Sequence, residues 1–201
     1  MSLDEFMDKL ASSAPTPGGG GAAALCGALA ASLGAMAVRL TKGKKKFLPY
    51  EEEHEKMILS LDELRVRFLS LIERDAAAFE PLSKVYAMDK SAPDYAEKKR
   101  TATINAASAP LEMLRACRDC ADILAALEDK CSAMLISDLG CAASLCASAA
   151  ECAAINVLVN TRTLPDDEKA AEIASDAKEL LSSVQSAMQP LAERIINKLM
   201  A

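Results

Sequence analysis

Apolar residues recur at steps of three and four along almost the whole chain, the period of helices that bury one face. Leu3, Phe6, Met7 and Leu10 mark a short amphipathic helix with Ser2 as its N-cap, ended by Ser12-Ser13-Ala14-Pro15. A second helix is expected from Thr16 as N-cap and Pro17 as first helical residue to about Thr41, and Gly18 to Val38 carries no charge. After a basic loop, Glu51, Glu52, Glu53 and Glu55 open a third helix, where acids suit the positive end of the helix dipole. Its stripe of Leu61, Leu64, Phe68, Leu71, Ile72, Phe79 and Leu82 includes Asp75. Pro81 is expected to bend its end. A turn over 89–94 precedes a fourth helical region to about Leu127, which Pro110 is expected to kink or split. The fifth helix, about 132–160, has only Asp138 and Glu151 as charges, so most of its circumference must be buried. Thr163 to Glu168 restarts a last amphipathic helix. The pattern predicts an all-α, single-domain bundle of long helices over 1–201.

Composition supports that reading. With 3% aromatic residues and no Trp, the core must be built from Ala, Leu, Met, Cys and Val, which favours helices in close approach. Gly20, Ala23, Gly27, Ala30, Ala31 and Gly34 thin one side of the second helix for such a neighbour. The uncharged tract has the length of a bilayer span, but its Gly and Ala content argues for a buried helix, so no membrane partner is expected. A net charge of −6 argues against a nucleic-acid partner. The seven cysteines, with no secretory signal expected at the acidic start, read as reduced thiols of a cytoplasmic protein, mostly buried as small apolar residues. Cys117-x-x-Cys120 with Cys131 lacks a convincing fourth ligand, and His54, in an acid-rich first turn, is expected to be exposed. No metal is expected.

Three features can carry chemistry. The run Pro17-Gly18-Gly19-Gly20 places the unhindered backbone N–H groups of its glycines at a helix start, which suits an anion or serves only tight packing. Asp75 lies on an apolar stripe, where lost hydration raises a carboxyl pKa toward the range of a proton shuttle unless a partner compensates. Asp138, preceded by Ser137, is similarly isolated on the fifth helix. Asn156 and Asn160 share one face there at i, i+4, but about 27 Å of straight helix separates Asp138 from Asn156. They therefore serve different zones of a long ligand, two sites across a dimer, or plain hydrogen bonding between helices.

In order along the chain, PTPGGG, an Ala/Gly-rich helix, LTKGKKKF, RDAAAF, ISDLGCAA and INVLVN resemble the formimidoyltetrahydrofolate cyclodeaminase and methenyltetrahydrofolate cyclohydrolase family. Gly21 departs from its usual Ser, and Asp129-Lys130-Cys131 from its usual Gly-Asn. The resemblance implies an all-α homodimer acting on the amidine-like carbon of formimidoyl- or methenyl-tetrahydrofolate, with a tetrahydrofolate derivative as substrate. Asp75 and Asp138 become the candidate catalytic residues. Pro17, Gly18, Gly19, Gly20, Ser137, Asn156 and Asn160 become substrate contacts, and Lys44 and Lys45 candidates for the folate's glutamate carboxylates. A separate formiminotransferase is a possible partner. The competing readings are a folate-binding protein without turnover and a structural helical oligomer.

Overall fold

The computed structural model describes residues 2–201, and among them every long element is helical. Helix α1 (Leu3–Leu10) starts as expected: the Glu5 amide donates to Ser2 Oγ at 3.2 Å and the Ser2 amide to Glu5 Oε2 at 2.7 Å. Its one buried residue, Phe6, rests on the start of α2 (Gly19–Thr41) beside Gly21. A short 3-10 turn, Lys45–Tyr50, leads into α3 (Glu51–Tyr86). Next come α4 (Tyr95–Leu127), two further single turns, α5 (Ile136–Thr161) and α6 (Glu168–Met200). Asp167 caps α6, its Oδ1 accepting from the Ala170 amide at 2.9 Å.

Helix α2 packs between α3 and α5, α4 lies against α2, α3, α5 and α6, and α5 against α2, α4 and α6. One continuous core joins them, with Leu, Phe and Met from α3, α4 and α6 filling space around the small residues of α2 and α5. Helices α2 and α5 run antiparallel. Gly19 abuts Asn156 at one end, and at the other the Ser132 amide donates to Thr41 Oγ1 at 3.0 Å. Both helices are long and apolar enough to cross a membrane by length and composition, yet more than half of α2's most apolar window is buried inside this bundle. The small residues permit that. A Cβ on Gly27 would stand 2.4 Å from the Phe68 ring, and one on Gly34 2.7 Å from Leu124.

Three expectations need correction. Helix α2 begins at Gly19 with Gly18 as an extended N-cap, not at Thr16, because Pro15 to Gly18 turns across the helix end as a wall of a pocket. Pro110 does not split α4, since packing on the flanking turns holds the backbone helical despite one lost hydrogen bond, and α3 likewise continues through Pro81. His54 is fully buried rather than exposed. The 3-10 turn folds Phe47 and Tyr50 over its ring, and Nε2 lies 3.0 Å from the Lys130 carbonyl.

The cysteines are free: Cys117, Cys120, Cys131 and Cys146 are buried, Cys26 and Cys152 half-buried, and Cys141 exposed. Cys117 and Cys120 belong to the packed core of α4, where Cys146 Sγ donates to the Cys117 carbonyl at 3.3 Å. Among the described residues, no three His, Cys, Asp or Glu side chains converge as a metal site.

Candidate functional site

The amides of Gly19, Gly20 and Gly21 precede the first hydrogen bond of α2, from the Ala22 amide to the Gly18 carbonyl, and Gly18 supplies no side-chain cap. They are therefore available donors at the positive end of a helix dipole. Asp75 of α3 reaches this end. Its two carboxylate oxygens each lie 2.4 Å from where a Gly20 Cβ would be, a space that only glycine leaves open. No side chain or amide of the described residues hydrogen-bonds that carboxylate, and burial pushes its pKa from 3.8 up to about 6.

Asn156 and Asn160 approach from α5. Asn156 Nδ2 donates to the Cys152 carbonyl at 2.8 Å and Asn160 Nδ2 to the Asn156 carbonyl at 3.0 Å. With both amide groups donating to their own helix, their Oδ1 atoms remain as acceptors. A Cβ on Gly19 would stand 3.0 Å from Asn156 Nδ2, so the glycine run also makes room for this side chain.

A wall from α4 completes the pocket with Ala106 and Pro110, and Phe79 covers it from α3. Pro110 has no N–H, so the Ala106 carbonyl one turn earlier lacks its usual helical donor. The pocket thus holds backbone donors, amide and carbonyl acceptors and one titratable carboxyl within about 210 Å³. That is below the usual size of a site for a whole drug-sized ligand and suits one ring system. Such an arrangement can orient a heterocycle with both donors and acceptors on its edge, and move a proton beside it.

The structure thus brings together Gly18, Gly19, Gly20, Asp75, Asn156 and Asn160. Pro17 stands just behind them, its Cβ 3.0 Å from where a Gly21 Cβ would be. Ser137, Asp138, Lys44 and Lys45 lie at the opposite end of the α2–α5 pair, about 33 Å along α2. There Asp138 is half-buried in the first turn of α5, and Lys44 Nζ donates to Ser132 Oγ at 2.9 Å. Other members of the basic run are matched: Arg39 by Asp62, and Lys42 by Glu55 at 2.8 Å. The wall residues Ala106, Pro110 and Phe79 were missed in the sequence. Only a proline inside an apolar helix, with the carbonyl it frees, signalled them.

Comparison with known proteins bears on family and fold. Residues 2–179 match the family model described as formiminotransferase-cyclodeaminase. The chain is 34% identical over 200 residues to a methenyltetrahydrofolate cyclohydrolase of Methylorubrum extorquens, covering 98% of this chain and 96% of that protein. It is 26% identical over 170 residues to the formimidoyltransferase-cyclodeaminase of Mus musculus, covering 83% of this chain but 31% of the mouse protein. The crystal structure of a formiminotetrahydrofolate cyclodeaminase from Thermotoga maritima superposes with a TM-score of 0.90 at 29% identity, over 100% of this chain and 98% of that one. Sequence over nearly its full length and fold together show that the chain belongs to the formiminotransferase-cyclodeaminase family.

Proposed function

We propose that the protein is a folate one-carbon enzyme whose reacting carbon, the amidine-like carbon between two folate nitrogens, lies beside Asp75. The carrying observation is the Asp75 carboxylate stationed at the start of α2, facing Asn156 and Asn160 in a pocket of one ring's size. The first reading is hydrolytic opening of methenyl-tetrahydrofolate, supported by the 34% identity to a cyclohydrolase of matching length. Asp75 then takes a proton from the attacking water and returns it to the departing ring nitrogen. The second is closure of formimidoyl-tetrahydrofolate, supported by the likeness to the cyclodeaminase structure. There the other folate nitrogen attacks the same carbon, and the carboxyl delivers a proton to ammonia as it leaves. Each needs a group whose two protonation states are both accessible near neutrality, as a pKa of about 6 provides.

In both, the glycine amides and the Asn156 and Asn160 oxygens orient the ring. The second reading takes its substrate from a separate formiminotransferase. Seven free thiols support a reducing, cytoplasmic setting. The test supplies each folate to the purified protein and follows the methenyl chromophore. Loss from the methenyl compound supports the first reading and appearance from the formimidoyl compound the second. No change in either would remove the enzymatic reading and leave a folate-binding or structural protein.

The proposal includes a homodimer. Leu29 and Leu40 of α2 are exposed apolar residues suited to a second copy. Two copies running antiparallel would bring the Asp138 carboxylate of one toward the Asp75 pocket of the other. Mixing D75N and D138N subunits, each inactive alone, is then expected to restore about a quarter of wild-type activity, from the half of all sites in the half of all dimers that are mixed. No restoration after exchange of subunits would confine the working site to one chain.

A further inference from the structure

The Asp75 pocket holds a ring but not the rest of a folate, so the aminobenzoyl-glutamate must leave it. Val159, on the pocket's α5 wall, also lines a second and larger groove of about 540 Å³ between the end of α5 and the start of α6. Its floor is apolar, with Ile155, Leu158 and Leu164, and its two cations are Arg162 and Lys178. Three neighbouring acids are matched elsewhere, Asp167 by Arg100, Asp176 by Arg115 and Glu172 by Lys169, and none of Asp166, Glu168 and Glu179 comes within ion-pair distance of Arg162 or Lys178. Arg162 and Lys178 are left without a carboxylate partner among the described residues. Asn156 and Arg162 are separated by a rise of about 9 Å along α5. That distance is comparable to an aminobenzoyl ring with its flanking bonds.

We propose that this groove is the subsite for the aminobenzoyl-glutamate of the folate, the ring lying over Val159 and Leu158 and the glutamate carboxylates meeting Arg162 and Lys178. The assignment rests on the folate reading above. It differs from the expectation that Lys44 and Lys45 receive the tail, because in one chain those lysines lie at the far end of α2. Continuity through Val159 and charge complementarity select the occupant: an apolar floor bearing two unmatched cations fits an aromatic amide ending in a dianion.

The test measures kinetics of the wild type, R162A/K178A and K44A/K45A with the glutamate-bearing folate and with its pteroate counterpart, which lacks glutamate. R162A/K178A is expected to raise KM about tenfold for the former with kcat retained, and to leave KM for the pteroate unmoved. K44A/K45A should retain the glutamate-dependent difference in KM. An unchanged KM in R162A/K178A, an equal rise with the pteroate, or loss of that difference in K44A/K45A instead would overturn the assignment. Direct titration of p-aminobenzoylglutamate, followed by NMR, separates the two proposals. Binding that weakens about tenfold in R162A/K178A supports the groove even where no folate is turned over, and absence of binding to the wild type overturns it.

Discussion

Replacing Asp75 by Asn is expected to lower turnover by about 10²- to 10⁴-fold, the range for losing a positioned acid–base group, while making the protein more stable above pH 6. Both effects have one origin. The carboxyl is half-buried and accepts no hydrogen bond among the described residues, and that burial lifts its pKa from 3.8 to about 6. A carboxyl raised in the folded state favours folding while protonated, fully below about pH 4, and that contribution is lost as pH rises through 6. Asn keeps the shape without the charge. The Asp75 side chain is half-buried, so solvent screening discounts the gain to about 1–2 kcal/mol above pH 6, vanishing near pH 4. Thermal melts of both proteins from pH 4 to 8, beside turnover, read the two effects together. Equal stability of the two proteins at pH 8 would contradict the buried, unpaired carboxylate. Wild-type kcat/KM should fall on the acid side with an apparent pKa near 6 where Asp75 acts as base.

Gly20→Ala is expected to cost about as much turnover as removing Asp75, with little loss of fold. Its methyl would stand 2.4 Å from both carboxylate oxygens, so the Asp75 side chain has to rotate away from the start of α2. That rotation is cheap, because the displaced atoms end a short side chain beside a cavity rather than belonging to backbone. The chemical loss is large, because a displacement of about 1 Å from a reacting centre costs on the order of 10²-fold. The double variant D75N/G20A should then be no slower than the worse single variant, since both act through one group. Additive losses would place Gly20's role in the backbone donors instead. Circular dichroism separates a misfolded variant from a misplaced carboxylate.

Helix periodicity alone determined the number and order of the long elements, because each helix buries one stripe of a shared core. It could not locate the start of α2, where glycines and prolines satisfy turn and helix alike. His54 misled for a related reason. Its neighbours in sequence are acidic, but its neighbours in space are Phe47, Tyr50 and the Lys130 carbonyl, which only the folded turn supplies. Asp75 was legible because a carboxylate on an apolar face demands an explanation from one stretch of sequence. That Asp75 meets Gly20 and Asn156, whereas Asp138 meets neither, depends on α2 and α5 running antiparallel. No local pattern encodes that. Arg162, beside a loop and outside any motif, gave no signal until the groove around it was formed.

The glycine run looks in sequence like the most pliable part of the chain, yet Gly20 and Gly21 are buried and head the helix at the bundle's centre. Its freedom has been surrendered during folding, with the entropy loss offset by the whole core rather than by a ligand. A substrate therefore meets donors already immobile and aimed, and little of its binding energy is diverted into ordering the protein.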